Sequence, residues 1–439
     1  MCRGNGESRP ELLQRVRDAL AGQPIVDMHT HCFAPAFGHS AGAEGGPLLW
    51  GIDELVTYHY LVAEVFRVAP ASELPYDRFW AMSTSERADH IWRELFVERT
   101  PVSEACRGVL TTLQELGLDP NERTLAPYRG WFAQQEVSEH IDRVMELSGV
   151  ERITMTNEVF DERERSLWLD RPGSLRDPRF DAVLRIDKLV RDWPAACADL
   201  SVWGYGVRPD LTGGTVGEVR RFLGEWIDRM RAVYVATSLP PGFRWPAGGG
   251  AHADAIIERA LLPELAERGL PWAMMIGSEL RVNPPLRDAG DMVGKADVGS
   301  VVRLCAARPR NRFLVTMLSR ENQHELCVAA RKFGNLTPFG CWWFLNNPSI
   351  IGEITRERLE LLGTSFVPQH SDARVLEQLV YKWSHSRELI AEALSEQYTR
   401  LEATGFRLTD AHIRADADRL MRSNFLSVTN RGARAGGAP

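Results

Sequence analysis

An apolar β-strand that ends in two histidines is predicted for the segment Ile25-Val26-Asp27-Met28-His29-Thr30-His31. Alternate residues of a strand point to the same face, so His29 and His31 would project together from its carboxyl end. Two neutral imidazoles on a rigid strand make half of a divalent metal site, and their nitrogen donors suit zinc. The alternative is two loop histidines with unrelated hydrogen bonds.

Similar short, apolar, β-rich segments recur along the chain, with amphipathic helical patterns between them. This alternation is typical of an α/β fold with a parallel sheet, and eight such units suggest a (β/α)8 TIM-type barrel. The carboxyl ends of barrel strands carry the active sites of enzymes with this fold, and there we expect the two histidines. The predicted strands are Pro24–His29, Arg152–Asn157, Ala182–Asp187, Val233–Ser238, Pro271–Gly277, Arg312–Leu318, Thr337–Phe344 and Gly363–His370.

The segment from Trp50 to Gly149 departs from this alternation, because its patterns are helical throughout. It predicts a helical insertion after the first strand, at about 50–149, beside the active-site face. Although 439 residues would allow about three domains on length alone, we expect one barrel domain at 24–430. An N-terminal segment, 1–23, precedes it, and a flexible Gly- and Ala-rich tail, 431–439, follows it.

Helix signals are clearest in the second half of the chain. Gly217–Arg231 places its apolar side chains on one stripe, which predicts an amphipathic helix. Asn347 followed by Pro348 is typical of an N-cap and a first helical residue. Two more helices are predicted at about 373–403 and 410–425.

Composition and charge narrow the classes of partner and compartment. The chain has 59 acidic and 52 basic residues, a formal net charge of −7, which disfavours nucleic acids and anionic membranes as partners. Its seven cysteines are scattered singly, as is typical of reduced thiols, and the polar first ten residues lack an apolar signal core. We therefore expect a cytoplasmic protein, and leave its oligomeric state open, a homo-oligomer included.

The predicted eighth strand leads into Gln369-His370-Ser371-Asp372-Ala373-Arg374. In a closed barrel this strand neighbours the first, so Asp372 could reach a metal held by His29 and His31. Three ligands with open positions are the arrangement of catalytic metal sites, whereas structural sites are closed. The alternative is a surface ion pair of Asp372 and Arg374 at a helix start. The direction of His370 stays undecided.

Together with further motifs, these strand ends carry a family resemblance. The chain resembles the uronate (glucuronate) isomerase family of the amidohydrolase superfamily, in the same order over most of its length. Besides the His29 and His31 pair, the similar stretches are Tyr58-His59-Tyr60 with Arg67, Arg185-Ile186-Asp187-Lys188, Asn311–Asn335, Gly340-Cys341-Trp342-Trp343-Phe344 and Asp372-Ala373-Arg374.

The resemblance implies an aldose–ketose isomerase whose substrate is a small anionic sugar acid and whose intermediate is an enediolate. It implies one divalent metal, expected to be Zn²⁺, on His29, His31 and Asp372. Asp372 would also carry the proton between the two carbons of the substrate.

The resemblance assigns further roles to side chains around this metal. His59 or Tyr60 would exchange protons with the sugar oxygens, and Arg374 would stabilise the enediolate charge. Arg185 would bind the substrate carboxylate through its planar guanidinium, and Trp343 would form a wall of the pocket.

Structural alternatives stand beside these roles. The two candidates after the first strand could simply pack at the start of the insertion, and Arg185 could pair with Asp187. Since Trp342 and Trp343 follow each other on a predicted strand, at most one should face the pocket. The remaining histidines are expected to be solvated: His39, His90, His140, His252, His324, His385 and His412.

The chain departs from the family pattern at two strands. Met275 stands where the resemblance expects a fifth-strand metal-site histidine, and Ile186 replaces a proline in the third-strand motif. Without Lys, Glu or His at the fourth and sixth strands, a binuclear hydrolase is disfavoured. Two alternatives stay open: a mononuclear metal-dependent hydrolase of a lactone, amide or ester, or a decarboxylase; and a sugar-acid binding protein without catalysis.

Overall fold

The chain forms an α/β fold around a curled parallel sheet, as the alternating strand and helix patterns predict. The computed structural model describes residues 9–41, 45–69, 72–248 and 252–430. The tail predicted to be flexible, 431–439, lies outside the described residues.

The first six predicted strands are confirmed, with ends shifted by one or two residues. The strands are β1 (Ile25–Thr30), β2 (Val150–Glu158), β3 (Phe180–Arg185), β4 (Val235–Leu239), β5 (Trp272–Ile276), β6 (Ser278–Glu279), β7 (Met292–Val293), β8 (Phe313–Met317) and β9 (Leu336–Pro338). Among the described residues, β1, β2, β3, β4, β5, β8 and β9 pair in that order as one parallel sheet. β6 and β7 form a separate antiparallel hairpin between β5 and β8.

The seventh and eighth predicted strands are wrong as continuous strands. β9 ends at Pro338, and the chain then forms a 3₁₀ turn at Trp343–Leu345. Residues 363–370 contribute one isolated bridge, between Phe339 and Val367. The strands break off because side chains bind backbone groups that a neighbouring strand would otherwise bind. Gln369 Oε1, for example, accepts a hydrogen bond from the Cys341 amide at 2.8 Å. These segments therefore lie beside the sheet without a regular ladder.

Helices fill the segment between β1 and β2, as predicted. After α1 (Arg9–Ala21), they are α2 (Ile52–Val56), α3 (His59–Val68), α4 (Tyr76–Ala81), α5 (Thr84–Trp92), which continues as a π-helical turn at Arg93–Val97, α6 (Glu104–Glu115), α7 (Ala126–Phe132) and α8 (Val137–Ser148). Contrary to prediction, His140 of α8 is buried, and its Nε2 lies 2.7 Å from Glu377 Oε1.

The remaining helices cover the outside of the sheet and the end of the chain. They are α9 (Glu162–Asp170), α10 (Asp187–Arg191), α11 (Trp193–Val202), α12 (Thr215–Met230), α13 (His252–Ile256), α14 (Leu262–Arg268), α15 (Val298–Ala307), α16 (Gln323–Ala330), α17 (Pro348–Leu362), α18 (Gln378–Glu402), α19 (Asp410–Asp418) and α20 (Asn424–Val428). The helix predicted at Gly217–Arg231 is confirmed as α12. Asn347 caps α17 as predicted, because its side chain accepts from the Ile350 amide.

Two apolar clusters lie on opposite faces of the curled sheet, one outside it and one in the interior that it encloses. Ile25 and Met274 pack with the covering helices, whereas their neighbours Val26 and Met275 belong to an inner cluster. Phe425 of α20 joins that inner cluster at the amino end of the strands. The interior is therefore packed at its amino end, and the polar strand ends collect at the other.

The described cysteines are free and buried: Cys32, Cys106, Cys197, Cys305, Cys327 and Cys341. Cys2 lies outside the described residues. Within the described part of the chain, no helix combines the length and the hydropathy needed to cross a bilayer.

Candidate metal centre

The structure brings His29, His31 and Asp372 together at the carboxyl end of β1. The Nε2 atoms of His29 and His31 each lie 3.5 Å from Asp372 Oδ1. The three potential ligand atoms lie within 4.8 Å of one another. His29 and Asp372 are buried, and His31 is half-buried.

Backbone hydrogen bonds hold the eighth segment against β1 at this point. The Asp372 amide donates to the His29 carbonyl at 3.1 Å, and the His31 amide donates to the Ala373 carbonyl at 2.7 Å. Asp372 itself has a φ of 52°, in the left-handed region that aspartate tolerates better than most residues. The carboxylate reaches the histidines through this turn, because strand alternation is interrupted there.

Neighbouring hydroxyls orient the His29 ring. The Thr156 hydroxyl donates to the Thr30 carbonyl at 2.8 Å, and its oxygen lies 3.3 Å from His29 Nδ1. That geometry favours a proton on Nδ1, donated to Thr156, and a free lone pair on Nε2. Nε2 is the atom beside Asp372, so the ring presents its basic nitrogen to the shared space.

The charge states of the three groups suit a cation. Burial lowers the pKa of both His29 and His31, so both rings are neutral near pH 7. Burial alone would raise the pKa of Asp372, but the adjacent histidines outweigh it and hold that pKa below its ordinary value. Asp372 Oδ1 is buried and accepts no hydrogen bond from the described residues. Two neutral nitrogens and one unsatisfied carboxylate oxygen fit a divalent metal.

A cavity of about 100 Å³ adjoins these ligands. Its wall includes four of the other predicted site residues, His59, Arg185, Trp343 and Arg374, and also Met275. The Met275 thioether lies on this wall, where the resemblance led us to expect an imidazole. The predicted metal and substrate residues converge on one space, although their individual roles stay predictions.

Arg185 is held rigidly at this wall. Its Nε and Nη2 donate to Asp187 Oδ2 at 3.0 and 2.7 Å, and Nη2 also donates to Ser238 Oγ at 3.2 Å. The predicted alternative of a pair with Asp187 is thus present together with a place at the cavity. No described residue accepts a hydrogen bond from Nη1, which leaves one amino group for a ligand.

Arg374 has Asp288 as its ion-pair partner, whereas the sequence suggested Asp372 as an alternative. Its Nη1 donates to Asp288 Oδ2 at 3.3 Å, whereas Asp372 faces the histidines. The alternative of a surface ion pair between Asp372 and Arg374 is therefore wrong. Asp288 lies on a 3₁₀ segment, Pro284–Gly290, that follows the β6 strand.

His59 and Tyr60 occupy different layers. His59 begins α3 and lies on the cavity wall, where its Nε2 accepts from Trp343 Nε1 at 3.1 Å. Its remaining ring proton is therefore on Nδ1, and burial lowers the pKa of the imidazole. Tyr60 is not among the residues that line this cavity. Its hydroxyl is buried without a hydrogen-bond partner in the described residues, and its ring stacks on Phe344.

The expectation that only one of Trp342 and Trp343 faces the pocket is wrong, because both line the cavity. Strand alternation does not apply, since Trp343 starts the 3₁₀ turn with a φ of 48°. His370 is also resolved: its buried ring packs edge-on against His29, with centroids 5.4 Å apart. A Cβ on Gly340 would lie only 1.7 Å from His370 Nδ1, so the close approach of the His370 ring to residue 340 requires glycine there.

Several wall residues were not predicted from the sequence. Ser238 is the penultimate residue of β4, and a polar residue near the end of an apolar run was the signal that could have found it. Arg191, Leu280 and Asp291 also line the cavity. Leu280 and Asp291 come from the hairpin region between β5 and β8, which carries no motif, so sequence patterns offered no route to them.

Fold and site define a class of protein: α/β chains with a His-His-Asp site, suited to a divalent metal, at the carboxyl end of a parallel sheet. The chain is 50% identical to a uronate isomerase from Bacillus halodurans, with a TM-score of 0.93 over 98% of this chain and 100% of that one. It belongs to the uronate isomerase family.

More distant structures share the fold. A glucuronate isomerase from Caulobacter crescentus has a TM-score of 0.76 at 13% identity, covering 99% of this chain and 96% of that chain. A uronate isomerase from Thermotoga maritima has a TM-score of 0.74 at 14% identity, covering 98% of this chain and 100% of that chain. No protein-family model matches the sequence, and neither does any curated protein.

Proposed function

We propose that this protein is a uronate isomerase, which interconverts the aldose and ketose forms of a uronic acid through an enediolate. The observation that carries the proposal is one cavity that brings His29, His31 and Asp372 together with Arg185. The family membership supports the reaction type, and a guanidinium in the same cavity as the three potential metal ligands supports an anionic sugar as substrate.

The finer architecture belongs to the same proposal. Residues 363–374 would occupy the place of the eighth strand and close a (β/α)8 barrel, supported by the two backbone hydrogen bonds to His29 and His31. Residues 24–430 would then form one domain that includes the helical insertion. A cytoplasmic location stays a prediction that rests on the scattered thiols, and the oligomeric state stays open.

His29, His31 and Asp372 would hold the metal, which we expect to be Zn²⁺ because two donors are imidazole nitrogens. When bound, the metal supplies Lewis-acid polarisation to the carbonyl and hydroxyl oxygens of the sugar. Met275 adds no ligand, so three protein groups would carry the site.

Asp372 is the group that would move the proton between C2 and C1. Its Oδ1 lies beside both imidazoles, which leaves Oδ2 to accept a proton from C2 and return it to C1. The lowered pKa of Asp372 keeps the carboxylate ionised at neutral pH.

Hydrogen-bond donors on the wall would meet the oxygens of the sugar. His59, fixed by Trp343, can donate from Nδ1, as a neutral imidazole does towards a developing oxyanion. Arg374 would stabilise the enediolate charge from the neighbouring wall. Tyr60 does not line the cavity, and its ring packs against that of His59 with centroids 4.7 Å apart. Any effect of Tyr60 on the sugar would therefore be exerted through His59.

Arg185 would bind the substrate carboxylate with its free Nη1, while Asp187 and Ser238 fix the plane of the guanidinium. Trp343 would pack against the carbon skeleton of the sugar. These two contacts would orient the substrate so that C1 and C2 meet Asp372.

The test is incubation of the purified metal-loaded protein with D-glucuronate or D-galacturonate in heavy water, followed by NMR of the C2 proton. We expect exchange at C2 together with ketose formation, both lost in Asp372→Asn. Cleavage of lactones, amides or esters without C2 exchange would favour the hydrolase alternative, and release of CO₂ the decarboxylase. Tight binding with neither chemistry would indicate a binding protein.

A further inference from the structure

Carboxylates crowd the guanidinium of Arg185 before any substrate arrives. Asp187 Oδ2 accepts from both Nε and Nη2, and Glu158 Oε2 lies 3.8 Å from Nε. A bound uronate would bring a third carboxylate to the same cation. Three carboxylates around one guanidinium in a half-buried site favour the protonation of one of the acids.

Glu158 is the acid that can lose its charge most easily. Asp187 is fixed by hydrogen bonds from Arg185 and, at 2.8 Å, from the Ser238 amide. Glu158 makes no hydrogen bond to Arg185. Its Oε1 accepts only from the Phe160 amide at 3.2 Å, among the described residues.

The surroundings of Glu158 support this assignment. Burial raises the pKa of Glu158 to about 7, an effect that Arg185 opposes and that Asp187 and Glu164 reinforce. The charged groups that face it are Arg185 from β3, Asp187 from α10 and Glu164 from α9. Glu158 is therefore close to half-protonated at neutral pH, whereas a solvated glutamate would be ionised.

We propose that Glu158 sets the affinity of Arg185 for the substrate carboxylate, by taking up a proton when the sugar acid binds and opposing binding when it is ionised. The inference rests on the proposed function, which puts the substrate carboxylate at Arg185. Where Glu158 is ionised before binding, one proton comes from solvent for each anion bound, and it returns to solvent when the product leaves. No other bond changes.

The sign of the pH dependence follows directly. Below pH 7 Glu158 is neutral, and the anion meets a guanidinium with one paired carboxylate. Above pH 7 Glu158 is ionised, and binding must overcome its negative charge or protonate it. The apparent affinity for a uronate should therefore fall as pH rises.

The experiment compares the unaltered protein with Glu158→Gln, which keeps the oxygen that accepts from Phe160. KM for D-glucuronate is measured at pH 6 and pH 8, and binding is followed by calorimetry in two buffers of different ionisation enthalpy. For the unaltered protein we expect KM to rise about tenfold over this range and roughly one proton to be taken up at pH 8. For Glu158→Gln we expect a KM that varies less than about twofold and no proton uptake.

Glu264→Gln is the matched control, because Glu264 is also an acid beside arginines, Arg220 and Arg268, and has no contact with Arg185 or Glu158 among the described residues. It should keep the pH dependence of KM. A merely structural role of Glu158 would change Tm or kcat but would not remove the proton uptake.

Three results would overturn the inference: an equal rise of KM with pH in Glu158→Gln, unchanged proton uptake in that variant, or loss of both in Glu264→Gln. Calorimetry needs no turnover, so its outcome is separable from the proposed reaction. Binding without isomerisation would count against the isomerase alone. Absence of uronate binding at both pH values would overturn both.

Discussion

The two ends of the parallel sheet each open into a cavity, and they use charge in different ways. At the amino end, a cavity of about 870 Å³ is lined by Arg231, Arg268 and Arg422 among others. At the carboxyl end, the metal-centre cavity measures only about 100 Å³. Size alone would point to the wrong end.

The charges at the amino end have ordinary structural explanations. Arg422 pairs with Glu151 at 2.6 Å, and Arg268 pairs with Asp228 at 2.6 Å. Arg268 ends α14 and Arg231 caps α12, where cations complement the negative ends of the helix dipoles. At the carboxyl end, by contrast, Asp372 and His370 keep buried polar atoms without hydrogen-bond partners in the described residues. Unsatisfied buried groups, rather than volume, separate the candidate active site from a packing defect.

The strongest test of this comparison is Asp372→Asn. The amide cannot take the C2 proton and binds a cation more weakly, so we expect the isomerase rate to fall by at least about 10³-fold. The measurement is ketose formation from D-glucuronate. Glu151→Gln, at the amino end, is the control and should retain full activity. Full activity in Asp372→Asn would exclude this residue as the shuttle.

The second test concerns metal content. We expect about one equivalent of divalent metal in the unaltered protein and less than about 0.1 equivalent in the His29→Ala/His31→Ala double variant, because one carboxylate alone binds weakly. Elemental analysis after dialysis measures it, and circular dichroism checks the fold. Equal metal in both proteins would remove the site as described.

Arg185→Lys should have an intermediate effect. A lysine keeps the charge but loses the planar set of donors that contacts Asp187 and Ser238, so we expect kcat/KM for the uronate to fall about 10- to 100-fold. Most of the loss should appear in KM, measured by steady-state kinetics. The exposed Arg320, paired with Glu353, provides a control as Arg320→Lys. An unchanged KM in Arg185→Lys would argue against carboxylate binding there.

The smallest effect is expected at the amino end. Arg422→Gln breaks a partly exposed ion pair, so the free energy of unfolding should change by less than about 1 kcal/mol, measured by urea denaturation. Isomerase activity should stay the same. A large loss of activity in Arg422→Gln would break the distinction between the two cavities.

Sequence reasoning predicted the first six strands well because each is a short apolar run that must be buried, as in β5 and β8. It failed after β9, because the chain there is held by the side chains of Asp27 and Gln369 instead of a strand ladder. No local pattern encodes such distant partners.

The candidate site shows the same division. His29 and His31 follow from strand alternation, and Asp372 from the expected neighbourhood of the first and eighth strands. The place of Trp343 depends on a left-handed turn, and the salt bridge of Arg374 depends on Asp288 in a segment without a motif. Tertiary packing decides these positions, so alternation of residues could not predict them.

The contact between the helical insertion and the segment after Asp372 has a consequence for protein engineering. Leu49 forms a bridge with Val375, and Glu377 accepts hydrogen bonds from the Gly51 amide at 3.1 Å and from His140. The insertion is thus bridged to Val375 and hydrogen-bonded to Glu377, three and five residues after Asp372. The insertion therefore cannot be removed independently of the site. A graft or a deletion that separates residues 49–51 from 375–377 should also displace the Asp372 carboxylate from His29 and His31.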